Sequence, residues 1–501
     1  MSSVSVFKLI LLSFAAIVVL ELVAKRLKLP PAAALLVGGA GIAFAPGLPP
    51  VNLDPDLVLI VFLPPLLVDG AYFSVWAEFK RNLGGIMLLA IGAIGAIVSP
   101  PDAVAAKAVL ERVALPRRLM VLLEGEGLLN DAAGLVLFRI AVAAVATGLF
   151  SVQSAAASFL ELGVGGVAVG FIVGWLLIRF VRLLTDDYLI VTSVVLGGWV
   201  SYIAGEMCEV SGVIATVTMG MMLGWHQHEV FTATVRMRAT AFWQVMVFLL
   251  EALVFVLIGL SLRGVMARLG GFGEVFETMT PAVVAVLGAV IGSRFVWIFL
   301  VEALKLPRRW LGRGDARADW RAATVMSWAG MRGVVTLAIA LSLPESMPGR
   351  DMILVAAFAV ILVTVLLQGT TIGPLIRLVK PRDGHGPDAR HLSEPLAWAH
   401  IAQAQLDAVR PLVHDAQGQL VHPRLFEQYT YRAGIAERLK GEATFPVQDV
   451  HAHYDIVLAA VMAGRAEMLK LHRTGRIHDE MLHALERDLD LQEVTARHAM
   501  E

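Results

Sequence analysis

Three carboxylates and a side-chain amide crowd the stretch Leu122-Leu-Glu124-Gly-Glu126-Gly-Leu-Leu-Asn130-Asp131-Ala-Ala-Gly134, the first half of an otherwise apolar run from about 119 to 147. A helix of that length crosses a bilayer, where a charge near the centre costs roughly 2.5–3.5 kcal/mol on insertion scales. Carboxylates kept at such a cost read as an ion site or a proton relay. The helical repeat sets Glu124, Gly127 and Asp131 on one face and stacks Glu126 one turn from Asn130 on the neighbouring face. Gly127 leaves room beside Asp131 for a small hydrated cation. The plainer alternative is a helix whose acids only pair with basic residues of other helices. A single deep carboxylate cannot hold a proton and a cation at once, so each displaces the other. Alternating access turns that competition into exchange. Asn130 adds no charge beside Asp131, which favours one cation per proton, an electroneutral count.

A second unusual sequence is Ser99-Pro100-Pro101-Asp102-Ala-Val104. Two prolines at membrane depth remove backbone donors and break a helix, leaving free carbonyls and half-helix ends. Such a break is tolerated inside protein or around a water-filled cavity, where transporters coordinate ions. Asp102 directly after it is favoured by the dipole of a half-helix N-terminus. A mere proline kink is the plainer reading.

The elements that must position these groups are membrane helices. The chain has 501 residues, 57% hydrophobic and only 17% charged, with a mean hydropathy of +0.72, the profile of an all-α polytopic membrane protein. Apolar runs fall at about 4–24, 30–48, 56–74, 84–110, 119–147, 155–179, 186–207, 210–225, 241–262, 279–304, 320–343 and 351–379, which makes about twelve spans. The first lacks the basic n-region and small-residue cleavage site of a signal peptide and reads as a spanning helix. Composition changes after Lys380, so residues 1–380 read as a transmembrane domain and 381–501 as a helical tail, with amphipathic patterns at about 394–413, 424–440, 448–473 and 478–497. A net charge of -1 argues against a nucleic-acid partner. The single Cys208 excludes an intramolecular disulfide.

Basic loops at Lys25-Arg26-Lys28, Lys80-Arg81, Arg112 with Arg117-Arg118, Arg179 with Arg182, Arg236 with Arg238, 305–321 and Arg377-Lys380-Arg382 alternate with nearly uncharged turns. The positive-inside rule places them, and the tail, in the cytoplasm and the N-terminus outside. The alternation fails once. Lys80-Arg81 and Arg112–Arg118 both want the cytoplasm, yet residues 82–110 would reach only about 43 Å as a helix, whereas two crossings need about 60 Å. One crossing is missing.

Leu63-Pro-Pro65-Leu-Leu-Val-Asp69, Ser99-Pro-Pro-Asp102-Ala-Val, Leu123-Glu-Gly-Glu126-Gly-Leu-Leu-Asn130-Asp131, Ser211-Gly-Val-Ile-Ala215, Phe255-Val-Leu-Ile-Gly259-Leu, Gly330-Met-Arg332-Gly333 and Gln368-Gly-Thr370 follow in order. Together they resemble the monovalent cation/proton antiporter family of NhaP-type bacterial sodium/proton antiporters and eukaryotic sodium/proton exchangers. The likeness covers nearly all of residues 4–380. It implies an inverted-repeat fold with unwound crossing helices, normally of thirteen spans, in a homodimer that moves a core bundle against a dimerisation scaffold. It implies that Asp131 alternately binds cation and proton, that Asn130 is its preceding amide, and that Asp102 is the acid of the first unwound helix. Asp131 and Asp102 would then hold the transported cation. It also implies that Glu126 pairs with a membrane arginine, Arg332 or Arg294, and that Asp69 lies on the cytoplasmic side of an ion funnel. The chain departs from the family at Pro101, where threonine is usual, and at Gly127, where serine is common. Both lose an oxygen ligand, leaving backbone carbonyls or water to complete the shell.

Arg332, between two glycines in an apolar segment, suits a structural role in the wall of the ion site, offsetting carbonyl ends of a second broken helix or pairing with Glu126. Arg294 and Glu251 also lie in apolar segments, and Arg139 suits the outer interface, where it can snorkel. The tail holds eleven of the thirteen histidines; a pH-sensing tail and plain surface histidines are both open. His451-Ala-His453 places its rings about 200° apart on a helix, a poor metal geometry, so no metal cofactor is expected. A channel would need a continuous polar pore, and no filter-like repeat is visible. An enzyme would need a nucleophile with a base or a metal cluster, and neither occurs in the spans. The expected function is sodium/proton antiport in the cell (inner) membrane, serving pH and sodium homeostasis, with potassium as the alternative cation.

Overall fold

The computed structural model describes residues 3–27, 29–44, 55–73, 80, 115–147, 151–268, 272–303, 319–343, 347, 349–381, 394–415, 417–441, 447–474 and 476–498. The proline break with Asp102, and with it the expected missing crossing in 82–110, lies outside the described residues. The described elements are helices, apart from one isolated antiparallel bridge between His414 and Leu420.

The chain divides into two compact units, Met1–Gly384 and His385–Glu501. In the first, the helices are α1 Ser3–Leu27, α2 Pro31–Ala43, α3 Pro55–Tyr72, α4 Arg117–Thr147, α5 Val152–Val181, α6 Asp187–Met207, α7 Gly212–Val230, α8 Ala233–Arg268, α9 Phe272–Ala303, α10 Trp320–Trp328, α11 Val334–Leu341, α12 Arg350–Val363 and α13 Gly369–Val379, the last two joined by a π turn at Thr364–Gln368. Five stretches among the described residues are long and apolar enough to cross a membrane: Gln153–Val181, Asp187–Met207, Ala233–Gly264, Met279–Ala303 and Arg350–Val379. Side chains such as Val164, Phe171 and Trp175 of α5 are exposed on the surface, as a helix facing lipid requires.

Local sequence explains where helices begin. Ser151, Asp186, Ser211 and Asp319 each accept a backbone N–H of the first turn they precede, in α5, α6, α7 and α10. Pro31 occupies the first position of α2, where its missing N–H is not needed. Helix α3 runs through Pro64 and Pro65 without ending. Pro64 has no N–H for the carbonyl of Ile60, and Trp199 of α6 replaces it, its indole Nε1 donating to Ile60 O at 3.0 Å.

The main core gathers residues of α2, α3, α7, α8, α11 and α12, among them Leu36, Leu63, Val213, Phe255, Leu337 and Ile361. At its centre α2 and α8 meet backbone to backbone. A Cβ on Gly259 would sit 2.5 Å from Ala40 N and Leu36 O, so only glycine permits this approach, the small-residue packing common between membrane helices.

The sequence run 320–343 is not one continuous helix. It is split into α10 and α11 by a non-helical stretch, Ala329–Gly333, in which Ala329, Met331 and Arg332 are buried. Glycines at both 330 and 333 weaken helix continuation there, and hydrogen bonds from neighbouring elements replace the lost ladder.

In the second unit, α14 Glu394–Val409 packs on α15 Pro423–Gly441, and α16 Val447–Arg473 packs on α17 Asp479–His498. These four helices coincide with the amphipathic stretches of the sequence. Arg465 on α16 bridges Asp490 and Glu493 of α17 at 2.5 and 2.7 Å, and Arg497 adds a second cation to Glu493 at 2.9 Å.

Candidate ion site and its buried ion pair

Glu126 and Asn130 lie one turn apart on α4, as the helical repeat requires, and Asn130 Nδ2 donates to Glu126 Oε1 at 3.4 Å. Both are buried, Glu126 to 1% and Asn130 to 2% exposure. A bare carboxylate at that depth would be costly. Arg294 of α9 neutralises it in a two-pronged pair, Nη1 to Oε1 at 2.5 Å and Nη2 to Oε2 at 3.0 Å. Its remaining edge is used too: Nε donates to the carbonyl of Met326 at 3.1 Å, near the C-terminus of α10, where a cation also meets the negative end of a helix dipole. Gly330 makes room for this side chain. A Cβ there would collide with Arg294 Cδ and stand 2.6 Å from its Nε.

Of the two arginines considered for Glu126, Arg294 is the one that takes it. It also holds the carbonyl end at the helix break, a role considered for Arg332. Arg332 is 4% exposed, and its backbone N–H donates to Thr364 Oγ1 at 3.1 Å, tying the break to the turn before α13. Thr364 in turn donates to Val360 O at 2.7 Å.

Asp131 continues α4 directly after Asn130; its side chain, like all of Asp102, lies outside the described residues. Glu124 and Asp69 are half-buried. Asp69 belongs to the turn of α3 that abuts α4, where Gly70 faces Leu128. The described residues therefore bring Glu126, Asn130 and Arg294 into one network, with Asp69 on the neighbouring helix and Arg332 on the adjoining break. Asn130 Oδ1 meets no donor among the described residues, which leaves an acceptor oxygen beside the Asp131 position. Arg139 has a partner that sequence reasoning did not assign: it pairs with Glu206, at the end of α6, at 2.7 Å. Thr364 and Gln368 were also missed as candidates. The Gln368-Gly-Thr370 motif was the one signal pointing toward Gln368, and none pointed toward Thr364.

The family model described as "Sodium/hydrogen exchanger, transmembrane" matches residues 83–378. An uncharacterized Na+/H+ exchanger of Mycobacterium tuberculosis is 30% identical over 522 aligned positions, covering 96% of this chain and 94% of that protein. The chain belongs to the sodium/hydrogen exchanger family. Among other relatives of this exchanger, a sodium, potassium, lithium and rubidium/H+ antiporter of Bacillus pumilus is 33% identical, covering 68% of this chain and 57% of that one. The sodium proton antiporter MjNhaP1 of Methanocaldococcus jannaschii shares the fold, with a TM-score of 0.56 and 18% identity over 75% of this chain and 99% of that one. The exchanger is therefore a membrane-embedded transporter with the NhaP-type helical fold, and its relatives support cation/proton exchange as its activity.

Proposed function

We propose that this exchanger moves a monovalent cation, sodium in the first instance, against a proton with no net charge transfer. Asp131 is the shared carboxylate in this reading, with Asn130 and Asp102 completing the site for the transported cation. The observation that carries it is the Glu126–Arg294 pair. With Glu126 held at both oxygens by one guanidinium, it is not available to trade a proton for a cation, and Asn130 is neutral. Glu124 and Asp131 then remain as acids of α4, and Asp131, directly after Asn130, is the one given the binding role in this reading. Gly127 adds no ligand oxygen beside it, so backbone carbonyls and water complete the shell. Glu126, Arg294, Arg332, Asp69 and Glu124 frame the site or its approach.

Residues 1–380 form the exchange domain in this proposal, with about twelve spans, one fewer than the family's thirteen, in an inverted-repeat arrangement. Residues 381–501 form a cytoplasmic tail, and the N-terminus lies outside. The protein works as a homodimer in the cell membrane, with no cofactor beyond its transported ions, in pH and sodium homeostasis. Potassium is the second reading, supported by the cations for which the Bacillus pumilus relative is named.

The test is proton flux in vesicles carrying the purified protein, with sodium, potassium and lithium supplied separately. Flux driven by sodium and unaffected by an imposed membrane potential is expected. Flux that follows the potential contradicts the electroneutral count, and flux with potassium alone replaces sodium as the cation.

A further inference from the structure

The π turn Thr364–Gln368 runs alongside the non-helical stretch Ala329–Gly333, and two hydrogen bonds fix how they face each other. The Arg332 backbone N–H donates to Thr364 Oγ1 at 3.1 Å, and Trp328 Nε1 donates to Thr371 Oγ1 at 2.8 Å. The two segments are opposed in direction, so residues between Thr364 and Thr371 face residues between Arg332 and Trp328. Gln368 stands in that interval, four residues after Thr364 and three before Thr371, on the same stripe of the helix. Its neighbour Gly369 also approaches the break, since a Cβ there would lie 3.4 Å from Met331 Sδ as well as 3.2 Å from Pro30 Cγ.

Gln368 is 1% exposed, and its Oε1 meets no donor among the described residues. A buried acceptor without a donor destabilises the arrangement that contains it. The π turn adds to this, being a rare geometry that recurs at functional sites. Beyond the break, α11 begins at Val334 after Gly333, which offers no side-chain cap, so the donors at its start depend on partners from other elements. An idle buried acceptor therefore lies on the turn that is hydrogen-bonded to a stretch of backbone freed from its helix.

We propose that Gln368 is a positioning residue of the exchange cycle. In a second arrangement of the broken helix its Oε1 accepts a backbone N–H of the stretch 329–334, the service that Thr364 Oγ1 performs for Arg332 in the present one. Thr364 thus holds the break open in the present arrangement and Gln368 in the second, while the ion site changes its access. The transport consequence rests on the exchange reading above; the hydrogen-bonding role does not.

Gln368→Leu and Gln368→Met remove the acceptor and keep most of the volume. Because Oε1 has no donor to lose here, both variants should melt in detergent at or above the parent temperature. Under the pH and cation conditions that populate the second arrangement, hydrogen exchange of the backbone amides of 329–334 should become roughly tenfold faster, the equivalent of about one hydrogen bond. In vesicles the maximal flux should fall by about the same factor, with the half-saturating cation concentration unchanged. Unchanged amide exchange in both variants overturns the proposal. A melting temperature that falls along with the flux also overturns it, because it makes the amide an ordinary part of the resting fold. A parent protein that moves no cation at all would sink the exchange reading, and the amide-exchange comparison would still decide the role of Gln368.

Discussion

Removing one charge of the buried pair should damage this protein more than removing both. The Glu126 and Arg294 side chains are 2% and 9% exposed, so solvent does little to screen either once it is alone. Deleting one partner of a buried pair typically costs about 3–5 kcal/mol. Arg294→Met also forfeits the Nε bond to Met326 O, worth about 0.5–1.5 kcal/mol more, and is therefore the more harmful single change. Glu126→Gln keeps an acceptor for Arg294 and should be milder. Glu126→Met combined with Arg294→Met leaves no stranded charge; it should be about 2 kcal/mol more stable than Arg294→Met alone. Reversible unfolding in mixed micelles, titrated with a denaturing detergent, measures the parent, Glu126→Met, Arg294→Met and the double variant, the four corners of the cycle. A double variant whose loss equals the sum of the two single losses would refute the pairing, because independent residues do not couple.

Three further expectations come from other parts of the molecule. Gly330→Ala should destabilise by about 1–3 kcal/mol through overpacking against Arg294, and the loss should shrink in an Arg294→Met background; an equal loss in both backgrounds would place the clash elsewhere. In the tail, the Arg465 and Arg497 guanidiniums hold the Glu493 carboxyl below its ordinary value of 4.5. A depressed carboxylate stabilises the fold above its unfolded pKa, and that contribution disappears as pH falls through the folded one. Protection of the α17 amides, corrected for intrinsic exchange, should therefore decline as pH drops below 4.5 and decline less in Arg465→Gln; identical profiles would contradict this. Finally, cysteines placed at 80 and 115 in a Cys208→Ser background should label from opposite sides of the membrane. Inserting about 20–25 apolar residues after Gly92 should raise a slow exchange rate. Same-side labelling with a rate matching a thirteen-span relative would show that no crossing is missing.

Much of this molecule was legible because membrane helices advertise themselves by length and hydropathy. The runs at 155–179 and 186–207 became α5 and α6 nearly residue for residue. The helical repeat alone predicted that Glu126 and Asn130 would meet. Pairing across the chain was not legible in the same way. Arg294 and Arg332 both sit in apolar segments, and choosing between them needed the crossing of α9 over the end of α10, a tertiary fact with no local signature. Trp199 replacing the donor that Pro64 lacks is similarly a contact between residues far apart in sequence. The break at 329–333 had a local cause, glycines flanking Met331-Arg332. The π turn beside it has no such marker, since Thr364-Val-Leu-Leu-Gln368 reads as ordinary apolar helix.

The central claim is that one carboxylate, Asp131, is occupied in turn by cation and proton. Proton flux through vesicles containing the parent protein and Asp131→Asn, inserted at equal density and driven by a sodium gradient, tests it most directly. The account predicts that sodium-dependent flux is lost in Asp131→Asn while the variant keeps the parent melting temperature, because the amide holds neither a titrating proton nor a charge for the cation. Flux at the parent rate in that variant would contradict it and move the exchange site to another group.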